Sequence, residues 1–277
     1  MKYVFYLFVL LLIGCSSVPL TGRKQLSLVS NDEVLSLSSQ QYGEFMSSAP
    51  ISTDKQNMAL VQKVGRNIAN AVEKFMSDNG YSDLIKDYAW EFNLVKSSDV
   101  NAFCMPGGKI VVYEGILPYT RNETGLAVVL GHEVAHAVAK HANERMSQQL
   151  ISQLGGVGLG VALANKPEET QALAMAAYGL GTQYGVLLPY SRKHELEADH
   201  LGLIFMAMAG YDPREAPSFW TRMSQQGTGT PEFLSTHPSD DTRTKELEKE
   251  MTEALKYYKT GNTPSGKNLK TSSKWTF

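Results

Sequence analysis

The spacing of apolar residues along the chain predicts a mostly helical protein with one small sheet. Apolar residues three and four apart indicate amphipathic helices that begin near Ser30 and Thr53. Residues 87–96 alternate between apolar and polar, which is typical of a strand. Two β-rich runs, 100–105 and 109–113, flank a Pro-Gly-Gly turn and predict a hairpin. Three further helices are predicted over about 121–141 with Thr120 as its cap, over 191–210 with Ser191 as its cap, and from Ser239 onward.

The N-terminus has the pattern of a secretory signal peptide. Lys2 precedes a short apolar run, residues 3–13, and a membrane span needs about 20 residues. The run ends at Leu-Ile-Gly-Cys, which resembles the bacterial lipobox and predicts lipidation of Cys15; an uncleaved anchor and a chance cysteine are the alternatives. We therefore expect residues 1–14 to be a signal peptide and residues 15–29 a lipidated tether.

Residues 142–190 are rich in Gly and Ala and contain two apolar pieces, each shorter or more broken than a transmembrane helix. They predict a helical hairpin, either a lid beside the cleft or a membrane-adjacent element; a buried helical pair is the plainer alternative. The polar residues 259–277 are expected to be a disordered tail.

Composition and charge narrow the classes of function. The formal net charge of −2 gives no basic surface for nucleic acid. The remaining segment, residues 30–258, is long enough for one domain with a substantial core. Of the two cysteines, Cys104 would be a lone thiol if Cys15 is lipidated, and we interpret it as a packing residue.

The pentapeptide at 132–136, His-Glu-Val-Ala-His, carries the strongest chemical signal. Residues four apart share one face of a helix, so His132 and His136 can reach one metal ion. Glu133 lies about 100° around the same helix, where a carboxylate can act as a general base. His141 is five residues beyond His136, so we interpret it, like His194 and His200, as a surface or packing residue.

Zinc catalysis needs a third protein ligand and one open position. Glu195 and Asp199 lie four apart on one predicted helix face, while Glu197 points elsewhere. We assign Glu195 to the metal and Asp199 to a hydrogen bond that orients a ligating imidazole. A solvated, charged helix start is the alternative interpretation of this stretch.

His-Glu-x-x-His followed by Ser-Arg-x-x-Glu-x-x-Ala-Asp resembles the gluzincin family of HtpX and the CAAX prenyl endopeptidases. The likeness covers roughly residues 30–258 and is greatest to bacterial lipoprotein and periplasmic members such as BepA and LoiP. It implies an α+β, mostly helical zincin fold with a small sheet over the active-site helix. It also implies one Zn2+ per chain, bound by His132, His136 and Glu195, with Glu133 as the base.

Two more stretches resemble this family. The segment with Asn101, Ala102, Phe103 and Gly107 is similar to the strand and turn at the rim of the cleft, where substrate adds to the sheet edge. His237 lies in a His-Pro segment that is near the metal in relatives. It is expected to stabilise the oxyanion or to block the open position, unless it is an ordinary loop histidine. Arg243 is a candidate for an oxyanion or substrate contact.

The resemblance predicts a zinc endopeptidase that cleaves unfolded or misassembled envelope proteins, lipid-anchored on the periplasmic side, with the outer membrane favoured over the inner. Unfolded protein substrates and the membrane are the expected partners. The alternatives are a non-proteolytic zinc-bearing chaperone or assembly factor, and an enzyme that cleaves lipid or cell-wall amides with the same site.

Overall fold

The computed structural model describes residues 15–18, 20–225, 232–237 and 241–260. The predicted signal peptide, residues 1–14, and the predicted tail beyond residue 260 lie outside the described residues. The strands are β1 (Cys15–Ser17), β2 (Lys24–Leu26), β3 (Glu91–Val95), β4 (Ala102–Met105) and β5 (Lys109–Tyr113). The helices are α1 (Asn31–Ser48), α2 (Lys55–Asp78), α3 (Leu117–Thr120), α4 (Glu123–Val138), α5 (His141–Leu163), α6 (Glu168–Thr182), α7 (Leu188–Met208), α8 (Glu215–Ser224), α9 (Glu232–Thr236) and α10 (Asp241–Thr260).

Helix α4 runs through the centre of the domain. Every residue from Gly125 to Val138 is buried, because α2, α7, α8 and strand β4 all pack around it. The sheet beside it has the order β3-β5-β4, with β3 parallel and β4 antiparallel to β5. The predicted fold class, α+β and mostly helical with a small sheet, is confirmed. Strand β4 forms one edge of this sheet in the part of the chain that is described.

Two glycines allow α4 and α7 to cross with their backbones in contact. A Cβ on Gly202 would lie 2.9 Å from the backbone nitrogen of His132, and a Cβ on Gly131 would lie 2.8 Å from the Gly202 carbonyl oxygen. Any larger residue would force the two helices apart. The crossing therefore holds the histidines of α4 opposite the acidic residues of α7.

The start of α4 differs from the sequence prediction. Asn122, not Thr120, is the N-cap, and its Oδ1 accepts a hydrogen bond of 2.9 Å from the Gly125 backbone N–H. The Thr120 hydroxyl instead donates to the Leu117 carbonyl at 3.0 Å, at the end of α3. Arg121 has φ +64°, so the chain turns between the two helices. Ser30 caps α1 as predicted, since its Oγ accepts from the Glu33 N–H at 3.2 Å.

Helix α7 begins before Ser191, the predicted cap. A π-helical turn, Gln183–Leu187, continues α6 directly into α7, so no cap is required at that point.

The segment predicted to be a tether is packed against the domain. Strands β1 and β2 pair in antiparallel fashion, and Val18 and Leu20 are 0% and 2% exposed within the main core. The Leu28 and Val29 backbone N–H groups both donate to the hydroxyl of Ser147 on α5, at 2.9 and 3.2 Å. Val18 and residues 20–29 are thus part of the folded unit. The side chain of Cys15 lies outside the description.

Residues 142–190 form the predicted helical hairpin, made of α5 and α6. Only the first turns of α5 are buried, and α6 has no buried residue, so a buried helical pair is wrong. Leu154, Val157 and Val161 follow one face of α5 and are 62%, 66% and 73% exposed. On α6, Leu173 and Leu180 are also exposed. Within the described ranges, none of the helices combines the length and apolar content that crossing a bilayer requires.

Candidate metal centre

Four side chains from three parts of the chain converge on one point. His132 and His136 come from α4, Glu195 from α7, and His237 from the residue that follows α9. His132 Nε2 lies 3.1 Å from His136 Nε2, 3.2 Å from Glu195 Oε2 and 3.2 Å from His237 Nδ1. Glu195 is also 3.4 Å from His136 Nε2 and 3.1 Å from His237 Nδ1. Ligand atoms about 2.0–2.1 Å from a tetrahedral zinc ion lie about 3.3–3.4 Å apart, so the spacing suits this metal.

The hydrogen bonds behind the two α4 histidines fix their tautomers. His132 Nδ1 lies 3.0 Å from Asp199 Oδ1 and donates to it, so its Nε2 carries a lone pair. Burial lowers the pKa of His141 well below its usual value, and this neutral ring donates from Nε2 to Glu197 Oε2 at 3.0 Å. His141 Nδ1 is therefore an acceptor, and His136 Nδ1 donates to it at 2.7 Å. Both ligand histidines thus present lone pairs to the same point.

Two imidazole nitrogens 3.1 Å apart beside a carboxylate favour a positive charge between them, which a proton or a metal ion can supply. Burial disfavours the imidazolium of His132, but Asp199 and Glu195 outweigh burial and raise its pKa to about 9. The same negative surroundings favour a metal ion at Nε2. Glu195 remains a carboxylate: burial opposes its charge, yet the neighbouring histidines hold its pKa well below the usual value. This set of donors fits zinc, for which imidazole and carboxylate are common ligands.

Asp199 occupies the position predicted for it, against His132, and it is clamped by Arg243. The guanidinium donates from Nε and Nη2 to the two carboxylate oxygens, both at 2.7 Å, and lies 3.9 Å from the centre of the Trp220 ring. Burial works against the charge of Asp199, but Arg243 holds its pKa below the usual value. Arg243 is 3% exposed and lies behind the ligands. This place supports a positioning role for Arg243, while the predicted oxyanion or substrate contact stays a prediction.

Glu133 projects from the same helix as the two histidine ligands. It is 3% exposed, and its Oε1 has no hydrogen-bond donor within the described structure, with His237 Nε2 at 3.4 Å. Burial raises the pKa of Glu133, against the opposing effect of His237 and His132. A raised pKa brings a carboxylate closer to the range in which it exchanges protons at neutral pH.

A cleft of about 490 Å³ opens beside the four-residue cluster. Asn101, Ala102 and Phe103, at the start of edge strand β4, line one wall opposite Glu133 and His136. Gly107, predicted with them, is not part of the wall; it has φ +90° in the turn between β4 and β5. A left-handed turn residue of this kind shapes the hairpin and leaves the strand to contact the ligand.

Cys104 also lies on β4, at the cleft. Burial raises the pKa of its thiol well above the usual value, with a smaller effect from Glu133. The thiol therefore remains protonated and unreactive, in agreement with a packing role.

Comparison with known proteins assigns the family. The profile of peptidase family M48 matches residues 62–251, which include all four members of the cluster. The chain belongs to peptidase family M48. The predicted membership of a zinc metallopeptidase family is confirmed at this level, while the narrower resemblance to HtpX and the CAAX endopeptidases is not resolved by the match.

Curated relatives of this M48 chain include proteins from mitochondria and bacteria. It is 33% identical over 248 residues to the mitochondrial metalloendopeptidase OMA1 of Schizosaccharomyces pombe, covering 86% of this chain and 66% of the relative. The human mitochondrial metalloendopeptidase OMA1 is 33% identical, and the match covers 89% of this chain and 48% of the human protein. The beta-barrel assembly-enhancing protease of Escherichia coli is 24% identical, and the match covers 83% of this chain and 46% of that protein. The chain spans between 35% and 66% of the length of the first relatives it matches.

Several polar residues of the M48 domain that sequence reasoning set aside lie at or beside the metal centre. His141 is fully buried against His136, and His194 is buried with its Nε2 2.8 Å from Glu144 Oε2. His200 lies farther away and bonds Glu250 at 2.9 Å. All three histidines are buried, so of the two predicted alternatives, surface or packing, the structure agrees with packing. Helix-face geometry could not place His141, because α4 ends before it.

Proposed function

We propose that this chain is a zinc-dependent endopeptidase that hydrolyses internal peptide bonds in extended protein segments. One observation carries the proposal. His136 and His237 of the metal cluster, the buried Glu133 and the edge strand β4 all line the same cleft. This arrangement combines a ligand set for zinc, a general base and a backbone surface that can bind a polypeptide.

His132, His136 and Glu195 would hold the zinc ion. When bound, zinc lowers the pKa of a coordinated water towards about 7 and polarises the scissile carbonyl. Glu133 accepts the proton at its Oε1, the atom that has no donor among the described residues, and later transfers it to the leaving amine. Its burial supports this role, because a base in a dry site exchanges protons efficiently near neutral pH.

We further propose that His237 occupies the fourth position in a resting enzyme. Its Nδ1 lies as close to His132 and Glu195 as those ligands lie to each other, and its Nε2 approaches Glu133 at 3.4 Å. With His237 in this place, four protein side chains would hold the ion, and His237 would compete with water or substrate for it. Substrate binding would have to move the segment that carries His237 before cleavage.

The substrate would bind along β4 as an added antiparallel strand. Asn101, Ala102 and Phe103 would supply main-chain hydrogen bonds, which recognise extended backbone with little dependence on sequence. Such recognition suits unfolded or misassembled proteins, since folded proteins rarely present an extended segment.

We also propose that the enzyme acts at the periplasmic face of a bacterial envelope, attached through a lipid on Cys15, with the outer membrane as the favoured site. This places it with the lipoprotein branch that its sequence resembles. The apolar face of α5 supports the proposal, because Leu154, Val157 and Val161 stand exposed on a segment without charges from 146 to 165. The hairpin would rest on the bilayer; only Ala142 and Arg145 of it line the cleft.

The test compares the purified full chain with Glu133→Gln, which removes the base and keeps the shape of the side chain. We expect both proteins to bind one zinc ion, and only the wild type to cleave a reduced, unfolded model protein. Zinc content by elemental analysis and fragment formation by mass spectrometry give the two readouts. A wild type without zinc, or equal cleavage by both proteins, would contradict the proposal.

A further inference from the structure

The two histidine ligands are supported from behind in parallel ways. On one side, His132 donates to Asp199, and the buried guanidinium of Arg243 binds both oxygens of that carboxylate. An imidazole held in this way keeps both its tautomer and the direction of its metal-binding lone pair. The support of His132 therefore uses only residues that the sequence analysis had named as candidate site residues.

On the other side, the support of His136 is longer and ends in a different part of the chain. His136 Nδ1 donates to His141 at 2.7 Å, and His141 donates to Glu197 at 3.0 Å. Glu197 in turn accepts from the Nε of Arg23 at 2.7 Å and from the hydroxyl of Thr21. Each proton in this series has one donor and one acceptor. Donation therefore converges on the Glu197 carboxylate, from His136 through His141 on one side and from Arg23 on the other.

Arg23 binds two carboxylates at this position. Besides Glu197, it binds both oxygens of Glu144, from Nη1 at 3.1 Å and from Nη2 at 2.7 Å. Its side chain is 8% exposed, and those of Glu144 and Glu197 are 0% and 2% exposed. His194 donates to Glu144 and stacks on His141 with ring centres 4.2 Å apart. One guanidinium thus bridges two buried carboxylates that would otherwise repel each other.

The backbone that carries Arg23 is itself held in place. Val18 and Leu20 are buried in the core before it, and the Leu28 and Val29 N–H groups bind Ser147 after it. Because both ends of residues 18–29 are anchored, Arg23 can act as a fixed point for the two carboxylates.

We propose that Arg23 is a positioning residue of the metal centre, acting on His136 through Glu197 and His141, so that residues 18–29 complete the zinc site. Without the guanidinium, Glu197 and Glu144 separate, His141 loses its acceptor, and the His136 ring is free to turn. The inference rests on the proposed zinc site and adds a requirement for the N-terminal segment.

The test measures zinc affinity by competition with a chromophoric chelator, in the full chain. We expect Arg23→Gln and His141→Phe each to weaken zinc binding by about 10- to 100-fold. Arg23→Lys, which keeps one charge-assisted bond, should recover part of the loss. Lys24→Gln is the matched control: the Lys24 side chain is exposed and donates to the Ser17 hydroxyl at 2.9 Å, and the substitution leaves the backbone carbonyl that accepts from Arg23, so the variant should bind zinc like the wild type.

A double-mutant cycle separates positioning from a general effect on folding. If Arg23 acts through His141, then Arg23→Gln causes no further loss of zinc affinity in a His141→Phe background. With zinc saturating, the single variants should show a lower kcat and an unchanged KM. Losses in affinity that simply add, or an Arg23→Gln protein that binds zinc like the wild type, would overturn the inference. If Arg23→Gln does not fold, Arg23→Lys takes its place in the same cycle.

The outcome of this experiment is distinguishable from failure of the proposed function. A wild type that binds no zinc would refute both proposals. A wild type that binds zinc and cleaves unfolded protein, together with additive variants, would refute only the role of Arg23.

Discussion

The contact between α4 and α7 leads to a prediction about a residue that touches no metal. Gly202→Ala would place a methyl group 2.9 Å from the His132 backbone nitrogen and 3.0 Å from the Gly131 carbonyl carbon. Ordinary contacts begin near 3.4 Å, so the two backbones must separate by about 0.5 Å. Neither helix can avoid the clash by a change of rotamer, because all the opposing atoms belong to the backbone.

The expected change in the free energy of unfolding follows from two opposing effects. Overpacking of a core costs about 1–3 kcal/mol, and a rigid backbone contact belongs at the upper end of that range. Replacing a helical glycine by alanine returns about 1 kcal/mol. We therefore expect Gly202→Ala to lower the free energy of unfolding by about 2 kcal/mol. Metal sites tolerate shifts of about 0.2 Å, so the same separation should also weaken zinc binding, because Glu195 moves with α7.

Urea denaturation of the zinc-free protein and a chelator competition assay measure the two effects. Gly179→Ala on α6 is the matched control, since its Cβ would meet no atom within 4 Å. That variant should gain up to about 1 kcal/mol of stability and bind zinc normally. A Gly202→Ala protein with the stability and zinc affinity of the wild type would refute the role given to this helix crossing.

Three further outcomes are expected. His237→Ala should raise the cleavage rate of an unfolded substrate several-fold at saturating zinc, and an unchanged or lower rate would argue against a blocking role. Glu144→Gln should lower the free energy of unfolding by about 3–5 kcal/mol at pH 7. Burial opposes the charge of Glu144, but its histidine and arginine partners hold its pKa below 4.5, so this stabilisation is present above pH 4.5 and disappears as the pH falls through the lower folded-state value. Leu154→Asp with Leu173→Asp should reduce co-sedimentation with phospholipid vesicles, whereas Leu37→Asp on α1 should not.

The last two measurements also have clear contrary results. Urea unfolding that shows the same difference between wild type and Glu144→Gln at pH 7 and at pH 3 would show that the carboxylate is not stabilised by its charge. Equal vesicle binding by the double variant and the wild type would remove the membrane role of the hairpin.

Helix spacing and turn geometry were enough to predict, from the sequence, the parts of the site that lie within one helix or one hairpin. His132 and His136 could be placed because their separation of four residues is a property of any α-helix. Glu195 and Asp199 share the same spacing on α7, and the structure brings both to the cluster. The β4–β5 hairpin followed from its Pro-Gly-Gly turn, whose geometry is decided by the turn residues themselves.

The remainder depends on contacts that no local rule contains. The helix argument excluded His141, but α4 ends at Val138 and Lys140 has φ +59°, so the chain reverses and returns His141 to His136. Arg23 was assigned to a tether because its neighbours are polar and small. Its carboxylate partners lie 121 and 174 residues further along the chain, a pairing that only the assembled core reveals.

Because the α5–α6 hairpin lies outside the core, the domain should tolerate a break in the chain at this point. The ligands His132, His136 and Glu195 lie on α4 and α7, which pack directly against each other. Residues 149–187, between these helices in the chain, contribute no member of the cluster. A break in the exposed turn between α5 and α6 should therefore leave two fragments that stay associated through their shared core. The same separation means that a change in the length of this loop should leave the metal ligands in place.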